Sequence, residues 1–290
     1  MENAGNRENI RKTSARNDFI LPETRWVSAI IVPFLVVAFA ILYLFPDHTK
    51  ELFAWTIQPR MTSMMLGASY LGGAYFFVRA ATFTRWHWVK VGFLPVTTFA
   101  TLMGIATIIH WDRFNHNHVS FFAWAILYFT TPFLVLAVWL RNRRTDTHMP
   151  DANDFLVPLP IRLSLGILGV IILLISIFLF LQPALVMSVW PWQLTPLTAR
   201  VMGALFALTG AGELSIALDK RWSAARIALQ SQIIGIAAIG LATIFSWSNF
   251  NQANPLTWVF IAGILFLVVA SPLLYMYIEA GRRKADVASL

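Results

Sequence analysis

Eight apolar stretches, near 27–45, 61–80, 90–109, 119–140, 163–182, 198–217, 227–246 and 256–278, decide which solvent this chain folds in. Each approaches the roughly 20 residues a helix needs to cross the hydrocarbon core of a bilayer. Inside lipid, backbone N–H and C=O groups must find partners within the protein, which leaves only helices and closed barrels. These stretches lack the apolar–polar alternation of barrel strands. Composition agrees: 58% of the residues are hydrophobic and 12% are charged, about half the ~25% charge fraction of a soluble domain. The expected fold class is an all-α integral membrane protein with eight transmembrane helices.

The stretches fall into two tandem sets of four. Gly104-Ile105-Ala106-Thr107 and Trp111, Phe114 and Asn115 return, at a shift of 136, as Gly240-Leu241-Ala242-Thr243 and Trp247, Phe250 and Asn251. Nearer the start the shift is 137, pairing Arg25, Pro46, Trp55, Pro59, Met65 and Gly73 with Arg162, Pro183, Trp192, Pro196, Met202 and Gly210. The one-residue change falls where Arg85-Trp86 meets Arg221-Trp222. Self-similarity of this kind sets an architecture before any motif is read. The expected organisation is a basic polar tail (1–24), repeat one (25–144), a linker (145–161), repeat two (162–283) and a short tail (284–290). Four spans per repeat is an even number, so both copies take the same orientation about a pseudo-two-fold axis along the membrane normal. That plan occurs in transporters, with the substrate site at the repeat interface.

Charge distribution orients the chain. One side gathers Arg7, Arg11, Lys12, Arg16, Arg25, Arg79, Arg85, Lys90, Arg141, Arg143, Arg144, Arg162, Lys220, Arg221, Arg226, Arg282, Arg283 and Lys284; the other keeps Lys50, Arg60, Arg113 and Arg200. The positive-inside rule places both termini and the linker in the cytoplasm, with a plasma or bacterial inner membrane as the expected location. The net charge of +8 then reflects topology and an anionic inner leaflet rather than nucleic acid. The polar start lacks the short apolar core of a signal peptide, so the first helix is expected to be retained.

The chain contains no cysteine, which removes thiolate metal ligands, thiol nucleophiles and disulfides. All five lysines lie in tails, loops or span ends, where a mid-helix Schiff base does not form. There is no phosphate-cradling Gly-x-x-x-x-Gly-Lys loop and no His-Glu-x-x-His.

Four features carry chemistry. Trp55-Thr56-Ile57-Gln58-Pro59 and Trp192-Gln193-Leu194-Thr195-Pro196 precede spans two and six, as interfacial anchors or as a paired lid over an outer cavity. Trp111 to Asn115 and Trp247 to Asn251 form the second outer motif. In repeat one it is joined by His110, Asp112, His116 and His118, ligand types suited to a divalent metal ion, although their spacing matches no metal motif. Within the spans, Glu213 is the one acid well inside a helix, about 9 Å in from Asp219 at 1.5 Å per residue. Gln232 lies at a similar depth on the next span, with Gln230 close by. An intramembrane acid is by default a functional candidate. The fourth feature is the small-residue face of spans two and six (Ser69 and Gly73; Ala199, Gly203, Ala207 and Ala211), which is expected to form the bundle centre.

Three readings follow. The first is non-enzymatic transport or binding of a small ligand between the repeats, with Arg60 and Arg200 toward the outer face and Glu213, Gln230 and Gln232 on the inner half. The second is an outer-face metal-binding protein or enzyme using His110 to His118, and the third is an accessory subunit.

Overall fold

The computed structural model describes residues 17–151 and 154–288; the expectations for Arg7, Arg11, Lys12 and Arg16 lie outside the described residues. The long helices are α1 (Pro22–Phe39, continued by a π-helical turn, Ala40–Leu44), α2 (Arg60–Thr82), α3 (Phe93–Ile109) and α4 (Val119–Asn142), followed by α5 (Leu159–Leu181), α6 (Pro196–Leu218), α7 (Trp222–Phe245) and α8 (Pro255–Ala288). Short helical turns fill most connections, and two isolated β-bridges, Phe19 with Arg85 and Leu156 with Arg221, are the extended pairings among the described residues. Helix α8 runs on to Ala288, through the start of the expected terminal tail at 284.

Seven of these helices are long and apolar enough to cross a membrane, so the chain is a helical, multi-pass membrane protein. Their outward faces carry side chains such as Ile167, Leu174, Phe266 and Val269, all more than half exposed in the isolated chain, and would contact a lipid bilayer. Helix α2 has 23 residues, as do α5 and α6, but is not among the seven. Thr62, Ser63, Ser69, Gly72 and Gly73 lower its hydropathy, and most of its length is buried against protein.

Helix α2 packs along α1 and α7, and α6 packs along α5 and α3; contact between α2 and α6 themselves is slight. The two small-residue helices, expected to form the bundle centre, are both largely buried but pack on other helices rather than on each other. The small residues admit other neighbours. A Cβ added to Gly210 would lie 2.9 Å from the Gly169 carbonyl on α5, and one added to Gly72 would lie 2.7 Å from the Ser231 carbonyl on α7. Helix backbones approach this closely only where side chains are small. The inner framework is therefore α2, α3, α6 and α7, with α4 packed on α3 and α8 on α7.

Backbone hydrogen bonds recur at the sequence shifts. Ile20 N–H donates to Thr84 O (2.8 Å) and Val157 N–H to Lys220 O (2.8 Å); Trp86 N–H donates to Asp18 O (2.8 Å) and Trp222 N–H to Phe155 O (2.9 Å). At the opposite end, Asn115 N–H donates to Ala54 O and Asn251 N–H to Pro191 O, both at 2.8 Å. One difference is local: Trp86–Trp88 and Lys90–Gly92 are 3-10 turns before α3, whereas α7 is α-helical from Trp222.

The Trp55 and Trp192 side chains are interior, which corrects the expectation of interfacial anchors, while Thr56, Gln58, Gln193, Thr195 and Pro196 of the same segments are exposed. Trp55 and Trp192 are 3% and 2% exposed. Trp55 packs on Phe114 and Trp124, and Trp192 on Phe250 and Phe260, with ring centroids 4.6–5.2 Å apart. Trp192 Nε1–H also donates to Thr62 Oγ1 on α2 (2.8 Å). Trp111 and Trp247, at 47% and 39% exposed, are the half-exposed rings of the outer motifs.

Candidate functional site

Polar side chains from both halves converge at the end of the bundle that carries the linker. The centre of this cluster is a hydrogen-bonded row: Asp18, His87, Ser223, Asp154. Asp18 Oδ2 meets His87 Nδ1, and Asp18 Oδ1 accepts the His87 backbone N–H at 3.1 Å. His87 Nε2 lies 2.9 Å from Ser223 Oγ. Asp154 Oδ1 accepts the Ser223 backbone N–H at 2.9 Å, and its Oδ2 accepts the Ser223 hydroxyl. At the shift of 136, His87 corresponds to Ser223, so this pair of corresponding positions meets face to face, whereas Asp18 corresponds at the shift of 137 to Phe155 and Asp154 is its neighbour. Each aspartate satisfies a donor at the start of a helical turn, where no intrahelical acceptor exists.

Below this row lies a fully charged, buried quartet. Arg221 donates Nη1 and Nη2 to the two carboxylate oxygens of Asp146 (2.9 and 3.0 Å), and Nε and Nη2 to those of Asp219 (3.0 and 2.8 Å). Lys90 Nζ is 2.7 Å from both acids. Burial pushes the two carboxylates up, but hydrogen bonds from Arg221 and Lys90 outweigh it and hold both well below the usual carboxylate range. Burial likewise works against the Arg221 charge, and the two carboxylates more than restore it. The linker is thereby tied to both halves.

Beside the row opens a cleft of about 590 Å³. Arg79, Phe83 and Trp88 line it from the first half, Ser223, Arg226 and Gln230 from α7, Arg282 from α8, and Asp151 and Asp154 from the linker. Arg79 lies over the Tyr75 and Phe83 rings at 5.0 and 5.1 Å, a cation–π arrangement; among the described residues no carboxylate lies within ion-pair distance of it. Arg226 donates Nε to Tyr275 (3.2 Å) and approaches Glu279 at 3.6 Å. Gln230 accepts from the Tyr75 hydroxyl and donates to that of Tyr275 (2.8 Å). Trp88 Nε1–H donates to Asp151 Oδ2 (2.8 Å).

The residues singled out from sequence distribute as follows. Gln230 lines the cleft, while Gln232, two positions on, hydrogen-bonds Glu213. Arg60 and Arg200 sit at the opposite end. Arg60 pairs with Asp47, and Arg200 Nη1 donates to His110 Nε2 (2.8 Å). Thirteen residues of α6 separate Arg200 from Glu213, about 20 Å of helix. Among the described residues no three His, Asp or Glu side chains converge to hold a metal. His110 is bonded to Arg200, Asp112 pairs with Arg113 (3.2 Å), and His116 stacks on Trp111 (4.9 Å). His118 caps α4, accepting the Ser120 N–H at 3.2 Å. Asn254 does the same for α8 through the Leu256 N–H at 2.9 Å.

Sequence reasoning passed over Asp18, His87, Ser223, Asp154, Arg79 and Arg226. A signal lay in the internal similarity of the sequence: the step just past Arg85-Trp86 and Arg221-Trp222 is His87 and Ser223, a pair at the shift of 136 whose side chains meet. No protein-family model matches this chain, and no curated protein or solved structure matches it. Fold and site together define a helical, multi-pass membrane protein with a polar, arginine-bearing cleft at one end of the bundle.

Proposed function

We propose that the protein consists of two tandem four-helix repeats in the same orientation and binds a small anionic ligand in the cleft between them, as the inner station of a transport or ligand-handling protein. The observation that carries the reading is the lining of the cleft: Arg79 and Trp88 come from one repeat, Arg226 and Gln230 from the other. The recurrence of backbone hydrogen bonds at the shifts of 136 and 137 supports the duplication. So does the reciprocal packing of α2 on α7 and α6 on α3. Helix α2 is the eighth span on this reading, tolerated in lipid because α1 and α7 cover its polar face. The basic surplus at the linker end supports a cytoplasmic position for that end and both termini, in a plasma or bacterial inner membrane.

Arginine suits an anionic group because its planar guanidinium offers several N–H donors and holds its charge at any physiological pH. Glu213, bonded to Gln232 deeper in the bundle, is the candidate group for passage beyond the cleft. The test is native mass spectrometry of protein released from native-lipid discs, comparing wild type with the Arg79→Gln/Arg226→Gln double variant. A stoichiometric anionic small molecule on the wild type, with at least tenfold lower occupancy on the variant, is the expected result. Equal occupancy on both, or none on the wild type, overturns the reading.

A further inference from the structure

The row that joins the two halves brings a serine, Ser223, to the cleft, and its first three members are acid, imidazole and hydroxyl. We propose that Ser223 is a nucleophile for acyl transfer, with His87 as its base and Asp18 as positioning residue, acting on an acyl ester seated in the cleft. A weak nucleophile is activated where its hydroxyl reaches a base that a third group orients, and such sets are recognised by geometry and roles rather than chain order.

The geometry meets each requirement. Ser223 Oγ is 2.9 Å from His87 Nε2, within proton-transfer reach. The opposite ring nitrogen, Nδ1, bonds Asp18, whose second oxygen is fixed by the His87 backbone N–H. Asp18 is itself held at both backbone groups, donating to Thr145 O (3.0 Å) and accepting from Trp86 N–H (2.8 Å). Its φ of 54° lies in the left-handed region, which Asp tolerates better than most residues. Asp18 and His87 are 2% and 1% exposed, whereas Ser223 lines the cleft.

Two further carboxylates face the pair. Asp151 Oδ2 is 3.5 Å from Nε2, beyond a good hydrogen bond, and accepts from Trp88 Nε1. Asp154 accepts the Ser223 hydroxyl. A serine has one proton to donate, so the hydroxyl bonded to Asp154 is at rest, and turning it toward Nε2 makes it a nucleophile. Asp154 therefore restrains the reaction.

In the step itself, Oγ bonds to the ester carbonyl carbon as its proton passes to Nε2. The tetrahedral adduct collapses with cleavage of the C–O bond to the alcohol, and the departing oxygen takes the proton from Nε2. Water then gives one proton to Nε2 and its oxygen to the acyl carbon. The carboxylic acid leaves, and Oγ recovers its proton. Arg226, three residues beyond Ser223 on α7, lines the same cleft and is the cation assigned to the developing oxyanion in this proposal. Phe83 and Ile227 line the same cleft, so the substrate class is an acyl ester with an apolar chain and an anionic group.

The test uses the full chain in native-lipid discs and an uncharged alkyl fluorophosphonate, whose phosphorus takes Oγ as fluoride leaves. One adduct per chain on Ser223, found by peptide mass spectrometry, is expected. Ser223→Ala abolishes it, His87→Gln slows it at least 100-fold, and Asp154→Asn accelerates it. Asp18→Asn slows labelling and alters its pH profile, which a purely structural role leaves unchanged. The absence of a Ser223 adduct on folded wild type overturns the proposal. So does an unchanged rate in folded His87→Gln or, should that variant not fold, in Asp154→Asn. The probe carries no charge, so its failure leaves anion binding by Arg79 and Arg226 standing.

Discussion

Replacing Arg221 by methionine isolates the energetics of the buried quartet. In the wild type two cations, Arg221 and Lys90, face two anions, Asp146 and Asp219, at distances of 2.7–2.9 Å. The Arg221 and Asp146 side chains are 3% and 2% exposed. The variant keeps both carboxylates and removes the group that bonds four carboxylate-directed N–H contacts, leaving Lys90 alone between two charges. Removing one partner of a buried pair costs about 3–5 kcal/mol, mainly through the uncompensated charge left behind. The corresponding residue at the shift of 136 is an internal control. Arg85 is 52% exposed and 3.6 Å from Asp151, so Arg85→Met changes stability by at most about 0.5–1 kcal/mol, the range of a surface pair. Equilibrium unfolding of both variants in mixed micelles measures the difference. Equal losses for the two variants, or a loss under about 1 kcal/mol for Arg221→Met, refute the reasoning. The pH dependence follows with its sign. Asp146 and Asp219 have folded-state pKa values depressed from 3.8, so their contribution is complete above pH 3.8 and is lost as pH falls further toward the depressed values. Arg221→Met flattens that acid limb.

Gly169→Ala forces a Cβ to 2.9 Å from the Gly210 carbonyl and the Leu214 amide, and should lower stability by about 1–3 kcal/mol as α5 and α6 separate. Gly263→Ala, with nothing within 4 Å, should show no loss when both variants are unfolded at equilibrium in mixed micelles. His118→Ala removes the cap on α4 and should cost about 0.5–2 kcal/mol, as should Asn254→Ala on α8; a loss confined to one of the two refutes the shared capping role. Burial and then the Arg200 charge lower the His110 pKa from 6.5. Its imidazole should titrate below that value by NMR and move upward in Arg200→Met. Stability linked to His110 is accordingly complete above pH 6.5 and declines as pH falls through its folded value.

The histidines show why chemical type and proximity in sequence did not define a site. His110, Asp112, His116 and His118 lie within nine residues, yet a 3-10 turn at Trp111–Arg113 sends their side chains to an arginine, a neighbouring arginine, a tryptophan face and a helix cap. His87 stands apart in the sequence from the groups it meets, 69 residues from Asp18 and 136 from Ser223, and no local pattern records such a meeting. The tryptophan motifs fail as anchors for a related reason: indole is suited both to an interface and to an aromatic core, and only packing selects between them.

The helical, membrane-embedded character was legible in the residues, because lipid leaves no other way to satisfy a long apolar backbone. Helix positions followed too, since hydropathy and proline-bearing connections mark where a chain enters and leaves hydrocarbon. Which helices touch was decided by tertiary structure. The small-residue faces of α2 and α6 state that a backbone will approach closely, but that Gly210 meets Gly169 on α5 and Gly72 meets Ser231 on α7 is visible only in the packed helices. The linker-end site is tertiary throughout: Asp18, His87, Ser223 and Arg226 gain their meaning from the approach of distant segments, and through-space chemistry is written in distances that a sequence does not contain.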